Sequence, residues 1–228
     1  MMKKLIAIIA VITLLGIPCV AQANMLTNGG FETTSTANTA TGKFPGWTIL
    51  WGGAAPSYNN WQRTAAAPFS TEGSWYAKCW WDGGISQVVN VVGGTTYSLV
   101  TDAFLNGNAG TLGTWEMSAK VNYYNAADVL IEEQTVLYLN DITKNVWQMN
   151  LTGSSLAPTP AVKAEIILST YWEDPGILST DPRFDDYAPA NPTAWDDVNF
   201  DVIPEPSSLL LLGTGIMGMI SAMRKKKA

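Results

Sequence analysis

The residues able to do chemistry in this chain are its carboxylates and its aromatic rings, because 228 residues include ten tryptophans and no histidine. Without imidazole there is no Ser-His-Asp or Cys-His relay and no histidine-ligated zinc. Cys79 has no activating base beside it, and no Gly-rich phosphate loop or dinucleotide fingerprint appears. Catalysis would fall to two carboxylates several ångströms apart, as in glycoside hydrolysis, with Glu116, Glu132, Glu133 and Glu165 available. Glu132 and Glu133 fail as a pair, since adjacent strand residues face opposite ways. The rings point to binding. Trp51, Trp61, Trp81, Tyr171 and Trp172 are candidate platforms for the apolar face of a pyranose, with Asn59, Asn60, Gln62, Asn106 and Asn108 close in sequence to take hydroxyls. Trp47, Trp75, Trp147 and Trp195 sit among apolar strand residues and are assigned to the core, where each indole N–H needs a partner.

The elements that must position these residues read as strands. Segments 24–31, 47–51, 75–81, 85–92, 95–104, 115–124, 129–139, 146–151, 161–169 and 195–202 are rich in β-branched and aromatic residues and are separated by Gly, Asn, Pro or Asp. Met117, Ala119, Val121 and Tyr123 alternate with Ser118, Lys120, Asn122 and Tyr124, and Trp147, Met149 and Leu151 alternate with Gln148 and Asn150, which is the pattern of half-buried antiparallel strands. No stretch between the chain ends shows a capped helical period. The expected fold is all-β, an antiparallel sandwich of jelly-roll type. Tyr171 to Ala194 is rich in proline, acids and aromatics and is expected to be a long ligand-contacting loop.

Both ends read as export signals. Met1 to Ala23 has Lys3 and Lys4, an apolar stretch from Leu5 to Ile17, and Ala21-Gln22-Ala23 as a signal-peptidase site. Asn24 to Ile203 is expected to be one domain of 180 residues, with Cys79 its single cysteine and hence no internal disulfide. Its eighteen Asp and Glu against seven Lys and Arg argue against a nucleic-acid partner. Pro204 to Ala228 holds Pro204-Glu205-Pro206, an apolar run and Arg224-Lys225-Lys226-Lys227. The seventeen residues from Ser207 to Met223 make about 25 Å of helix, short for a ~30 Å hydrocarbon core. The tail resembles a PEP-CTERM sorting signal, which implies transient anchoring in the inner membrane and processing by an exosortase-type enzyme.

A second resemblance covers nearly all of the domain. Leu26-Thr27-Asn28-Gly29-Gly30-Phe31-Glu32, Gly46-Trp47-Thr48, Glu72-Gly73-Ser74-Trp75-Tyr76-Ala77, Ile85-Ser86-Gln87-Val88-Val89 followed by Gly94-Thr95-Thr96-Tyr97, and Trp195-Asp196-Asp197-Val198 are similar, in that order, to galactose-binding-like jelly rolls that include carbohydrate-binding modules. That resemblance implies a structural calcium ion, held by the Gly30 carbonyl and Glu32, by Glu72 with the Gly73 carbonyl, and by Asp196. The resulting expectation is an exported, non-enzymatic protein of the cell surface or extracellular matrix that binds polysaccharide. A structural surface protein binding other proteins and a two-carboxylate glycan hydrolase are the alternatives.

Overall fold

The computed structural model describes residues 24–33, 35, 43–51, 61–65, 70–79, 83–105, 114–139, 143, 145–173 and 193–203. The expected export signals at 1–23 and 204–228 lie outside the described residues, as does the segment 174–192. Among the described residues no helix is long and apolar enough to cross a membrane.

Among the described residues ten strands run in sequence: β1 Thr48–Trp51, β2 Trp61–Thr64, β3 Tyr76–Cys79, β4 Gly83–Asn90, β5 Thr96–Leu105, β6 Thr114–Tyr124, β7 Leu130–Leu139, β8 Trp147–Leu156, β9 Lys163–Glu173 and β10 Thr193–Val202. They form two five-stranded sheets, ordered β1-β4-β9-β6-β7 and β2-β3-β10-β5-β8. Every strand pairing is antiparallel. This is the jelly-roll sandwich that the alternation and the strand spacing require.

Period-two alternation decides which side chains meet between the sheets. Met117, Ala119, Val121 and Tyr123 of β6 face inward, as do Ala164, Ile166 and Leu168 of β9 and Ile85 of β4, all fully buried. Leu99 and Ala103 of β5 and Trp195, Val198 and Phe200 of β10 meet them in the same apolar cluster. Phe31, Phe44, Trp47 and Trp61 close one flank through edge-to-face and tilted ring contacts.

Four local departures from the expected elements have identifiable causes. Residues 24–31 are turn rather than strand, because Asn28 and Phe31 adopt φ of 56° and 55° and the Phe31 N–H returns to the Asn28 carbonyl at 3.1 Å. The segment still borders β10, with the Met25 N–H on the Phe200 carbonyl at 3.0 Å. The four-residue strand β2, Trp-Gln-Arg-Thr, is too short to announce itself by alternation. In β8 the pairing shifts opposite Thr101 to Ala103, and Asn150 at φ 55° breaks the alternation, so Met149 is exposed instead of packed. Finally, β9 runs on to Glu173, so Tyr171 and Trp172 belong to a strand and not to a loop.

Candidate functional site

The first sheet carries a groove of about 450 Å³ on its outer face, lined by residues of β1, β9, β6 and β7. Its floor follows one register line. Trp51 pairs with Gly84, Gly84 with Ser169, Ser169 with Ser118, and Ser118 with Tyr138, so a single lateral row crosses all five strands. Four interstrand steps span about 19 Å. An aromatic ring stands at each end, and the three residues between them are the smallest available with or without a hydroxyl. The two serine hydroxyls hydrogen-bond each other at 2.7 Å.

Gly84 makes the row possible. A Cβ there would overlap the Trp51 indole, so the missing side chain is what lets that ring lie over the sheet. Trp51 is 44% exposed, Tyr138 57% and Tyr171 54%. Tyr171 stands beside Glu116 in the neighbouring register line, and the Tyr138 hydroxyl donates to Glu116 Oε1 at 2.8 Å. Lys120 pairs with Glu133 at 3.0 Å farther along the same face. The groove thus offers apolar ring faces at its ends and along one wall, with hydroxyls and charged acceptors between them.

Of the sequence-derived ring candidates, Trp51 and Tyr171 come together here. Trp61 does not: it is fully buried, with its indole N–H donated to the Trp51 carbonyl at 3.2 Å, and it supports the end of β1 from beneath. The assignment of Trp61 as a platform is therefore corrected to core. Trp172 lies in β9, opposite Trp115 of β6, and Trp81 lies outside the described residues. Of the four rings assigned to the core, Trp47 and Trp195 are buried there. Trp75 is half-buried beneath a guanidinium, and Trp147 packs with Tyr76 and Phe104 on the outer face of the second sheet. Tyr138, Ser118, Ser169 and Gly84 were missed as site residues. The outward position of Ser118 was legible from alternation, but its alignment with Trp51 required the registers.

Of the residues expected to hold calcium, Glu32, Gly73 and Asp196 take part in hydrogen bonds within the protein. Glu32 Oε1 accepts the N–H groups of Ser74 and Trp75, each at 2.8 Å, over Gly73 at φ 65°, where a side chain would strike the carboxylate. The Gly73 carbonyl accepts the Ser70 hydroxyl at 3.1 Å. Asp196 Oδ2 accepts the Thr71 N–H at 2.8 Å and its hydroxyl at 3.1 Å, and Oδ1 accepts the Asp197 N–H at 2.9 Å. Burial pushes the Asp196 carboxyl up to about 6, against those hydrogen bonds. Asp197 is raised as well, by burial and by the neighbouring Glu72 charge. The chain supplies its own cation beside Glu32: Arg63 Nε and Nη2 donate to the carbonyls of Phe31 and Glu32 at 2.6 Å each, and the guanidinium lies 3.8 Å above the Trp75 ring. Among the described residues no three carboxylates form a group able to hold a metal ion. Calcium held by Gly30, Glu32, Glu72, Gly73 and Asp196 is thus an expectation of the resemblance, which melting in calcium and in EDTA tests.

Comparisons with known proteins bear on the tail and the fold. The tail matches the model of the PEP-CTERM protein-sorting motif over residues 202–226, which includes Pro204, Glu205 and Pro206. The enzymatically active domain of tailspike protein 4 from bacteriophage CBA120 aligns with TM-score 0.50 and 13% identity over 79% of this chain, which spans 21% of that one. TmCBM61 in complex with β-1,4-galactotriose aligns with TM-score 0.49 and 15% identity, over 79% of this chain and 99% of that one. The CBM22-1 xylan-binding domain of Paenibacillus barcinonensis Xyn10C gives 0.48 and 14%, over 81% and 97%. No curated protein matches the sequence. The chain is thus a jelly-roll β-sandwich followed by a PEP-CTERM protein-sorting motif, the mark of an exported protein.

Proposed function

We propose that this protein binds polysaccharide of the extracellular matrix in the groove across β1-β4-β9-β6-β7, after export, transient anchoring in the inner membrane and release by an exosortase-type enzyme. The observation that carries the binding reading is the row Trp51-Gly84-Ser169-Ser118-Tyr138. Ring faces at both ends of a shallow, hydroxyl-lined floor match the alternating apolar and polar surfaces of a sugar chain, and about 19 Å of length accommodates a short run of pyranoses.

The hydrolase alternative has one observation in its favour, since Glu116 and Glu133 both line the groove. Against it, the Glu133 carboxylate is held by Lys120 and the Glu116 carboxylate accepts the Tyr138 hydroxyl, so each is committed to a neighbour within the protein. The sugar-binding reading uses both as acceptors and asks neither to transfer a proton.

Affinity electrophoresis through gels containing a panel of neutral and charged polysaccharides tests the proposal. Retardation by at least one polymer is expected. Trp51→Ala should weaken it by about 2 kcal/mol, roughly thirtyfold, while the melting temperature stays nearly unchanged. Migration unaffected by every polymer, or retardation that survives loss of Trp51 and Tyr138 together, would move the structural-protein reading ahead.

A further inference from the structure

The groove contains a carboxylate with no basic partner. Lys120 and Glu133 neutralise each other at 3.0 Å, and Lys163 is paired with Asp128. Among the described residues Glu116 has no ion-pair partner, and its contact is the hydrogen bond from the Tyr138 hydroxyl. That phenol occupies one carboxylate oxygen, Oε1, and fixes the side chain over the floor. Tyr171 is its register neighbour, and Trp51 faces the same groove. A fixed carboxylate among exposed ring faces is the arrangement that recognises an ammonium group, by ion pairing to the carboxylate and by attraction to the ring quadrupoles. The surroundings add to the preference. Residues 24–203 carry eighteen acids against seven bases, so a polyanion is repelled before it reaches the groove and a polycation is drawn in.

Resting on the polysaccharide reading above, we propose that the groove selects a glycan bearing protonated amino groups, that is, a polymer containing de-N-acetylated amino sugars, with Glu116 as the counter-ion of the bound ammonium. Glu116 is then the specificity-determining residue, and Trp51 supplies affinity common to any sugar chain.

The test compares a glucosamine pentasaccharide with an N-acetylglucosamine pentasaccharide by titration calorimetry. It uses protein isolated from its host, at a pH that keeps the amines protonated. The free amine form should bind about tenfold more tightly, as expected for one charge-assisted contact in a partly solvated groove. Glu116→Gln keeps an acceptor for Tyr138 and should erase the preference for the free amine over the acetylated form. Equal binding of the two oligomers, or a preference that persists in Glu116→Gln, overturns the amino-sugar assignment and leaves polysaccharide binding standing. Binding of neither oligomer, alongside Trp51-dependent retention by a neutral polymer, also overturns this inference alone. Absence of retention by any polymer removes both readings.

Discussion

Arg63 performs at the N-terminal turn the task that the family resemblance gave to calcium. Its donors reach the Phe31 and Glu32 carbonyls, its guanidinium lies over the Trp75 ring, and the Glu32 carboxylate reaches two amides of the 71–75 segment, so three separate stretches are tied together by one side chain and its neighbour. Two charge-assisted hydrogen bonds at a half-exposed site are worth about 1–2 kcal/mol together after solvent screening. Arg63→Ala is therefore expected to lower the melting temperature by about 3–6 °C, with Arg63→Lys recovering only part of it because an ammonium lacks the planar fork. Melting of wild-type protein in calcium and in EDTA tests the metal site: equal temperatures would leave the tie to Arg63 alone, and a rise in calcium would support the site. The resemblance could place Glu32, Glu72 and Asp196 near one another through their motifs, but the guanidinium that ties down the Phe31 and Glu32 carbonyls comes from the short strand β2, which alternation could not reveal. The same limit applies to Trp51 and Trp61. Trp61 stands between the polar Asn60 and Gln62, as an exposed ring would, yet the pairing of β2 with β3 goes with a fully buried indole.

At the level of elements, the groove depends on matching positions in five strands. Inward and outward alternation along β6 was legible from residue types, and the buried set Met117, Ala119, Val121 and Tyr123 follows it. Lateral alignment was not, because register is set by pairings whose partners lie up to 85 residues apart, as for Trp51 with Gly84, Gly84 with Ser169, and Ser169 with Ser118. Gly84 links the two levels. Gly84→Ala adds one methyl beneath an exposed ring, which can swing away, so its cost to stability should be about 1 kcal/mol or less. The displaced indole should nonetheless lower polysaccharide retention to nearly that of Trp51→Ala. If Gly84→Ala retains polymer like wild type, Trp51 is not the platform.

For the whole molecule, the jelly-roll architecture was legible because many short alternating strands with turn residues between them allow few packings. The tail was legible because a proline-flanked glutamate, an apolar span and a basic end occur in fixed order. Intact-mass analysis of protein from the native host should show loss of residues 1–23 and of everything beyond the Pro204 region, and Glu205→Ala should leave the fold intact with the tail retained in membranes. A different consequence comes from where the described chain enters and leaves. The Asn24 side chain is bonded to the Val198 carbonyl and the Phe200 N–H, and the Ile203 N–H to the Thr96 carbonyl, so both entry and exit sit beside the start of β5. The row through Gly84 and Ser169 lies six residues, about 20 Å, along β4 and β9 from the opposite strand ends at Asn90 and Lys163, which share that pole with the exit. On the proposed reading, a tail held in the membrane would leave from the pole of Ile203, and the groove row would lie about 20 Å along the sheet from that point of attachment.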